Sequence, residues 1–175
     1  MTVLHTPLSE EDVAGLVAGD LVYLSGRIYT ARDRAHPAII SRSCPLDLVG
    51  AALYHCGPLI QRGRVLSAGP TTSGRMARYT GAILDLGVRA IIGKGGLPGE
   101  PFLGRAVYLA FPGGCGAAAA ARLRVRGVFL EELGMAEAIW ELEAEEFGPM
   151  VVAIDSHGRD LYRDVRASVS SHLSL

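Results

Sequence analysis

Two predicted strands of this chain end in the same dipeptide, Gly-Pro. An apolar run over 49–54 leads to Gly57-Pro58, and a second run over 64–67 leads to Gly69-Pro70. Glycine and proline together stop a strand and turn the chain sharply. Two strands that end in this way are expected to turn at one edge of a sheet. The sequence therefore predicts a sheet with neighbouring loops along one edge.

Further short apolar runs predict more strands. They cover 20–29, where Gly26 is expected to break the strand, and 88–92, 106–111 and 125–130, which have the buried character of parallel strands. Met76, Tyr79, Ile83 and Leu86 form a helical stripe that ends at Gly87. A capping box that begins at Ser9 predicts a short helix over 9–18, and the polar tail over 163–175 is expected to be a short helix or frayed.

The segment over 138–146 has the composition of a helix but the pattern of a strand. Trp140, Leu142 and Ala144 alternate with glutamates at a period of two residues. This period favours a half-exposed strand. Another strand is predicted over 150–155, so the fold class is α/β, in a single domain over 1–175.

Composition excludes several classes of partner. The formal net charge is −1, which does not favour nucleic acid or an anionic membrane. The sequence contains no signal peptide and no apolar stretch of membrane-spanning length, so a cytoplasmic protein is expected. The hydrophobic share of 49% suits a buried sheet or a further surface that is buried against a partner.

The cysteines do not form a recognisable metal or disulfide pattern. Cys44, Cys56 and Cys115 are odd in number and lack CxxC spacing. We therefore expect no disulfide framework and no metal site made by this chain alone. Cys115 lies in Gly-Gly-Cys-Gly over 113–116, which suggests either a thiolate at a helix N-terminus or, as the better hypothesis, small residues for close packing.

Hydroxyl groups and one arginine are concentrated after Gly69-Pro70. Thr71, Thr72 and Ser73 are followed by Arg75 before apolar residues return. One interpretation is a helix N-cap made by a hydroxyl, with a solvated arginine. The other is an anion site, in which free amides and a guanidinium bind a carboxylate and Thr71 shares a helical face with Arg75.

Two other segments carry candidate cations. The charged turn over 31–36 is either solvated or contains a carboxylate clamp, Arg32, that Asp33 holds with His36 nearby. Lys94, which is the only lysine in the chain, lies in Gly-Lys-Gly-Gly over 93–96. This loop lacks the distant glycine and the hydroxyl residue of a P-loop, but it permits close approach to a ligand.

Several motifs occur together and in order along the chain. They are Ala-Arg-Asp-Arg-Ala-His over 31–36, Cys-Gly-Pro over 56–58, Ala-Gly-Pro-Thr-Thr-Ser-Gly-Arg-Met over 68–76 and Ile-Gly-Lys-Gly-Gly over 92–96. Together they resemble the β subunit, or C-terminal domain, of the class I, iron–sulfur-dependent fumarase and L-tartrate dehydratase family. The resemblance runs from Gly19 nearly to Tyr162, and the block that contains Thr71 is its most specific part.

This resemblance implies a fold, a reaction and a partner. The fold is a swivelling β/β/α domain, and the reaction is the reversible addition of water to a C=C bond flanked by carboxylates. A [4Fe-4S] cluster is ligated by a partner α subunit and not by this chain, so a hetero-oligomer is expected. On this sequence, Arg32, Arg75 and Lys94 hold a small dicarboxylate substrate and Thr71 is the candidate general base, with possible support from Asp33, His36, Thr72 and Ser73.

The leading hypothesis is the β subunit of a fumarate hydratase. The alternatives are the β subunit of an L-tartrate dehydratase, a non-catalytic dicarboxylate-binding domain, and an enzyme that uses the Cys115 thiol. No residue distinguishes C4 acids that differ by one hydroxyl. Two departures from the family pattern, a shorter segment after His36 and His55-Cys56 before Gly-Pro, bear on the pocket and on the α-subunit contact.

Overall fold

The computed structural model describes residues 2–42 and 45–173. The strands are β1 (Thr2–His5), β2 (Leu21–Thr30), β3 (Ala52–Tyr54), β4 (Leu59–Gln61), β5 (Arg64–Ser67), β6 (Ala90–Gly93), β7 (Val107–Ala110), β8 (Leu123–Phe129) and β9 (Ile139–Ile154). The α-helices are α1 (Glu10–Ala14), α2 (Ala35–Ile40), α3 (Thr80–Asp85), α4 (Gly116–Ala120) and α5 (Leu161–Leu173). Short 3-10 helices span Ser73–Tyr79, Glu100–Phe102 and Glu131–Leu133.

Five strands close into a mixed barrel. The strands pair in the order β1-β2-β3-β6-β7-β9-β8, and β2 also pairs with β9. This second pairing joins β2, β3, β6, β7 and β9 into a ring, while β1 and β8 extend it at the sides. Strands β2, β3, β6 and β7 are parallel, and β9 runs antiparallel to β2 and β7. The α/β fold class is confirmed, and the swivelling β/β/α arrangement stays a prediction.

The parallel strands separate two apolar cores. Successive side chains of a strand point to opposite faces, so Tyr54 and Ile92 pack in one core while Leu53 and Ile91 pack in the other. The first core fills the barrel, and the second contains residues from α2 and α3, such as Ile39 and Ile83. Burial on both faces explains why these strands are continuous apolar runs in the sequence.

The long strand β9 confirms the period-two prediction. Trp140, Leu142 and Ala144 are buried, whereas the glutamates between them are exposed or half-buried. The separate strand predicted over 150–155 is the continuation of the same strand. Its first half pairs with β8 and its second half with β7, while β2 occupies the other edge along most of its length.

Two predicted strands differ from the structure in their pairing partners. The run over 125–130 lies in β8, which is antiparallel to β9 rather than part of the parallel set, because the two strands follow each other directly in the chain. The run over 64–67 forms β5, which pairs only with β4 in a separate two-stranded sheet. The two Gly-Pro loops are nevertheless adjacent, since Cys56 and Pro70 form an antiparallel bridge.

Helix boundaries also differ from the sequence predictions. The capping box at Ser9 is present, but α1 ends at Ala14. The stripe that starts at Met76 is divided between a 3-10 helix and α3. Pro37 lies in the first turn of α2, where its missing N–H leaves no intrahelical bond unmade. Within the described residues, no helix is long and apolar enough to cross a membrane.

Gly26 does not break β2 as predicted, because the strand continues through it at an irregular pairing with β9. Its φ of 98° is rarely adopted by residues with a side chain. A Cβ at this position would also lie 2.6 Å from Thr6 Oγ1 and 2.9 Å from the Thr6 carbonyl oxygen. Conformation and space therefore both require glycine here.

We expect Gly26→Ala to lower the free energy of unfolding by more than about 2 kcal/mol, because backbone strain and a clash add. Gly63→Ala is the matched control: Gly63 has a φ of 71°, but a Cβ at that position would have no atom within 4 Å. The control should lose only about 1 kcal/mol. Urea denaturation measures both values, and equal losses would contradict the role of Thr6.

Candidate functional site

The candidate residues lie at the carboxyl ends of the parallel strands. The strand ladder continues one residue past each end: Ala31 N donates to the Tyr54 carbonyl oxygen at 2.9 Å, and His55 N to that of Ile92 at 2.8 Å. Phe111 N donates to the Gly93 carbonyl oxygen at 2.8 Å. The segments that follow these residues therefore leave the barrel side by side. This edge is where parallel α/β sheets commonly bind ligands.

The threonine loop is inserted between the ends of β3 and β6. Thr71 N donates to the His55 carbonyl oxygen at 2.7 Å, and Lys94 N donates to that of Thr71 at 3.3 Å. Ser73 N donates in turn to the Lys94 carbonyl oxygen at 2.9 Å. These backbone bonds fix Thr71 and Lys94 relative to each other. The structure thus brings together two site residues that are 23 positions apart in the sequence.

The predicted hydroxyl cap is wrong. The 3-10 helix begins at Ser73, and its N-cap residue, Thr72, makes no side-chain capping bond. Thr71 lies before the helix, so it does not share a helical face with Arg75 as predicted. The physical reason is that the strand ends, rather than side chains, occupy the amides of Thr71 and Ser73.

The Thr71 hydroxyl is available to a ligand. The residue is half-buried, and within residues 2–42 and 45–173 its Oγ1 has no hydrogen-bond partner. Its backbone is nevertheless held on both sides by the neighbouring strand ends. Thr71 therefore presents a hydroxyl in a fixed place. Thr72, by contrast, is exposed, and its backbone forms a parallel bridge with Lys94.

Asp33 pairs with Arg75 and not with Arg32, which corrects the prediction. Arg75 Nη2 lies 2.6 Å from Asp33 Oδ2, and the Arg75 side chain is 52% exposed. Arg32 pairs instead with Glu137, at 3.5 Å between Nε and Oε1. The two arginines are therefore linked through adjacent residues of one turn, which brings Arg75 to the end of β2.

Arg32 lies directly against the first Gly-Pro loop. A Cβ at Gly57 would be 2.7 Å from Arg32 Nη1 and 2.7 Å from the Ala136 carbonyl oxygen. Glycine is thus required by the arginine that crosses it, and not only by the turn. This contact also explains why Arg32 is more buried than Arg75, with 22% of its side chain exposed.

Lys94 is the candidate cation without an acidic partner. No carboxylate of the described residues lies within 4.0 Å of its ammonium group. Its side chain lies beside Gly113, where a Cβ would be 3.7 Å from Nζ. An ammonium that lacks an ion pair on the protein is well suited to bind an anionic ligand.

Two buried histidines lie beneath the site. Their ring centroids are 5.1 Å apart, and His36 Nδ1 donates to the Arg32 carbonyl oxygen at 2.7 Å. Burial lowers the pKa of His36, although the Arg32 carbonyl and the Asp33 and Glu137 carboxylates oppose this. Burial, with a contribution from His36, holds the pKa of His55 well below its ordinary value. Both imidazoles are therefore neutral at neutral pH.

Three residues of the site were missed by sequence reasoning. His55 Nδ1 and Tyr108 Oη each lie 2.9 Å from Ser73 Oγ, and Glu137 pairs with Arg32. His55 was visible only as a departure before Gly-Pro. Tyr108 and Glu137 had no local signal, because one is an ordinary strand residue and the other reaches Arg32 across 105 positions.

The described residues do not form a metal site. They contain no group of three or more His, Cys, Asp or Glu side chains that could hold an ion. Burial raises the pKa of the Cys56 thiol to about 12, which disfavours the thiolate that a metal requires. Cys44 lies outside the described residues. The described part of this chain therefore lacks the residues that would ligate an iron–sulfur cluster.

Cys115 is the N-cap residue of α4, and it and its glycine neighbours lie in close packing contacts. The side chain packs against the barrel core. A Cβ at Gly116 would lie 2.3 Å from Ser67 Oγ, and Ala68 N donates to the Gly116 carbonyl oxygen at 3.0 Å. The helix that follows, α4, has only five residues. The small residues thus allow α4 to approach β5 closely.

Comparison with known proteins yields relatives over nearly the whole chain. The family model described as the Fumarase C-terminus matches residues 2–165. The chain is 44% identical to the "Putative L(+)-tartrate dehydratase subunit beta" of Methanocaldococcus jannaschii, over 99% of this chain and 97% of that protein. It is 37% identical to the L(+)-tartrate dehydratase subunit beta of Escherichia coli K12, over 91% of this chain and 85% of that protein.

A longer relative carries a different name. The chain is 39% identical to the "Putative fumarate hydratase class I" of Geobacillus stearothermophilus. The match covers 98% of this chain but only 35% of that protein. The chain therefore matches the Methanocaldococcus and Escherichia proteins over most of their length, but it matches only one part of the Geobacillus protein.

The buried histidines predict a loss of stability in mild acid. An unfolded histidine has a pKa of about 6.5, and the folded pKa values of His36 and His55 lie lower. Below about pH 6.5 the unfolded chain therefore binds more protons, so the free energy of unfolding falls as pH falls. We expect the urea midpoint to decrease between about pH 8 and about pH 5.5, a window above the range where carboxylates titrate.

The variant His36→Gln is the test of this assignment. Its amide can still donate to the Arg32 carbonyl, but it cannot take up a proton in this range. The pH dependence of its urea midpoint should therefore be shallower than that of the natural chain. A midpoint that is independent of pH in the natural chain would contradict neutral, buried imidazoles.

Proposed function

The chain belongs to the Fumarase C-terminus family, and we propose that it is the β subunit of a two-subunit hydro-lyase that removes water from L-tartrate. The observation that carries this proposal is the edge where Arg32, Arg75, Lys94 and the free Thr71 hydroxyl lie on adjoining loops. In this arrangement the cations would bind the two carboxylates of the substrate, and the hydroxyl would face a carbon that lies between them. We also propose that residues 1–175 form one domain of the swivelling β/β/α type.

L-Tartrate is preferred to fumarate because of the relatives that match in length. The Methanocaldococcus and Escherichia proteins, which this chain covers almost from end to end, carry the name of the tartrate enzyme. Fumarate is the second candidate, supported by the Geobacillus relative. The same cations suit both substrates, since each has two carboxylates separated by two carbons.

We infer that an α subunit completes the enzyme. The name of the Escherichia relative, subunit beta, implies a partner subunit, and the family that the motifs of this sequence resemble is iron–sulfur-dependent. The described residues of this chain supply no cluster ligands, so we assign a [4Fe-4S] cluster to the partner. Bound there, it would supply a Lewis acid for the hydroxyl that leaves. The role of this chain is then to bind and orient the diacid and to move a proton.

The two arginines retain donors for a substrate. Asp33 occupies a single nitrogen of Arg75, and a guanidinium has five N–H donors. The remaining edge of Arg75 can bind a carboxylate in a two-pronged geometry, while Asp33 fixes its orientation. Lys94, which has no acidic partner among the described residues, would contribute a full positive charge. Arg32 would contact the opposite carboxylate from beside Gly57.

Thr71 is the candidate for proton removal. Loss of water from L-tartrate takes a proton from one carbon and a hydroxyl from the next, and the enol that results becomes oxaloacetate. A neutral threonine hydroxyl is a very weak base, so Thr71 would have to take the proton as its alkoxide, a form that is accessible only beside strong positive charge. The backbone bond between Thr71 and Lys94 keeps this residue next to a loop that carries such a charge.

Anaerobic co-purification tests the function. We would tag this chain, isolate the complex that it forms in its source, and assay L-tartrate and fumarate separately. Oxaloacetate from L-tartrate, with iron and sulfide in the preparation, is the expected result. Loss of fumarate absorbance without turnover of L-tartrate would show that fumarate, and not L-tartrate, is the substrate. A chain that purifies without a partner and without iron would favour the dicarboxylate-binding domain instead.

Arg75→Ala should lower kcat/KM for the diacid about a hundredfold, on the order of 3 kcal/mol, because it removes a charged clamp and leaves Asp33 unpaired. Arg78→Ala is the matched control. Arg78 is exposed, lies on the same 3-10 helix and stacks on Tyr79 rather than contacting the site. Steady-state kinetics of the complex measure both. Similar losses in the two variants would argue against the clamp.

Substitutions at Thr71 separate the hydroxyl from the shape of the side chain. Thr71→Ser keeps the hydroxyl and should retain activity within about tenfold, whereas Thr71→Val has nearly the same shape and should lose at least about a hundredfold in kcat. Normal turnover by Thr71→Val would assign the base to another residue. The urea midpoint of each variant shows whether folding contributes to the change.

A further inference from the structure

We propose that His55, Ser73 and Tyr108 form a one-way chain of hydrogen bonds that holds the Lys94 loop in its binding position. The three residues are positioning residues, since they act through the loop and not by contact with a substrate. The proposal rests on the proposed function only for the identity of the ligand. The bond chain itself is a property of this fold.

The three side chains meet in a buried space above Gly93. Ser73 Oγ lies 2.9 Å from His55 Nδ1 and 2.9 Å from Tyr108 Oη. All three residues are at most 1% exposed. A Cβ at Gly93 would lie 2.0 Å from Ser73 Oγ, so this glycine makes room for the chain. The glycine before Lys94 is therefore explained by these side chains.

The Lys94 loop is hydrogen-bonded to two members of this group of three residues, Tyr108 and Ser73. Tyr108 Oη lies 2.8 Å from the Gly95 carbonyl oxygen, and Ser73 N donates to the Lys94 carbonyl oxygen at 2.9 Å. Backbone bonds also hold the start of the loop, where Lys94 N donates to the Thr71 carbonyl oxygen and Phe111 N donates to that of Gly93. Beyond Lys94, Gly95 and Gly96 leave the backbone flexible, and there the Tyr108 hydroxyl supplies the restraint.

The directions of the bonds follow from the number of protons. The Gly95 carbonyl only accepts, so Tyr108 must donate its single proton to it. Ser73 must then donate to Tyr108 Oη, since two lone pairs would otherwise face each other at 2.9 Å. Ser73 thus has no proton left for His55, and His55 Nδ1–H must donate to Ser73 Oγ. The opposite direction leaves the half-buried Gly95 carbonyl without the Tyr108 donor.

This direction specifies the protonation state of His55. Nδ1 carries the proton, and Nε2, which is buried without a hydrogen-bond partner among the described residues, is a bare acceptor. A second proton on Nε2 would place an unpaired charge in an apolar space. The low pKa that burial gives His55 agrees with a neutral ring. The chain therefore keeps one direction across the neutral pH range.

The first test measures the tautomer directly. The full chain has five histidines, so long-range ¹H–¹⁵N spectra of a ¹⁵N-histidine sample are simple, and the variant His55→Gln assigns the signal. We expect His55 to be neutral and protonated on Nδ1 at pH 7. A proton on Nε2, or a charged ring, would overturn the proposal. This measurement does not depend on any substrate.

The second test measures the loop. Lys94 is the only lysine, so a ¹⁵N-lysine sample gives one backbone amide signal. We expect an order parameter of about 0.85 in the natural chain and a lower value in Tyr108→Phe, where the bond from the Lys94 amide to the Thr71 carbonyl remains. Tyr54→Phe is the matched control, because Tyr54 is an equally buried tyrosine that donates to the Ala68 carbonyl, at 2.6 Å. An unchanged Lys94 signal in Tyr108→Phe would overturn the proposal.

The third test uses the complex with the α subunit. Tyr108→Phe should raise KM for the diacid about tenfold and change kcat little, because a loosened lysine binds the carboxylate less well. In a Lys94→Met background the same substitution should have no further effect on KM. Additive effects would show that Tyr108 does not act through Lys94. A complex that is inactive on every diacid would contradict the proposed function. The two spectroscopic tests would still decide whether the hydrogen bonds hold the Lys94 loop.

Discussion

The pairing of β2 with β9 closes the barrel, and the position of every site residue depends on it. Without this pairing, the sheet would have two long unpaired edges, which favour aggregation. With it, β2 becomes an interior strand that has β9 along one edge and β3 at its end. The four parallel strands are thereby held in register, so the loops that follow them leave the barrel together. The segments that carry Arg32, Thr71 and Lys94 adjoin because β2, β3 and β6 pair in parallel at the same edge.

The candidate cations at this edge differ in whether they have an acidic partner. Arg32 and Arg75 each have an acidic partner, whereas Lys94 has none within the described residues. Half-exposed ion pairs contribute little to stability, so their value here is geometric: they restrict two long side chains to one orientation. The lysine is restricted differently, through its backbone and the buried hydroxyls of Ser73 and Tyr108. Ion pairs therefore restrain the two arginines, and backbone and hydroxyl contacts restrain the lysine loop.

The site also shows why local rules failed at one point of the sequence. Three consecutive hydroxyl residues before a helix predict a side-chain cap, but none of them caps it. Thr71 keeps its hydroxyl free, Thr72 faces outward, and Ser73 turns inward to His55 and Tyr108. The ends of β3 and β6 satisfy the loop amides, and this removes the need for a cap. A tertiary contact replaced the local one.

The sequence by itself determined the strand-rich α/β character, the half-exposed strand around Trp140 and the adjacency of the Gly-Pro loops, and it supplied Arg32, Thr71, Arg75 and Lys94 as candidates that stay predictions. These follow from periodicity, turn residues and short motifs, which are local properties. The tertiary structure alone decided that β8 is antiparallel, that Asp33 pairs with Arg75, and that His55, Tyr108 and Glu137 support the site. The side-chain contacts among these join residues that are 18 to 105 positions apart. The closed barrel brings these distant residues together, and no local sequence pattern encodes barrel closure.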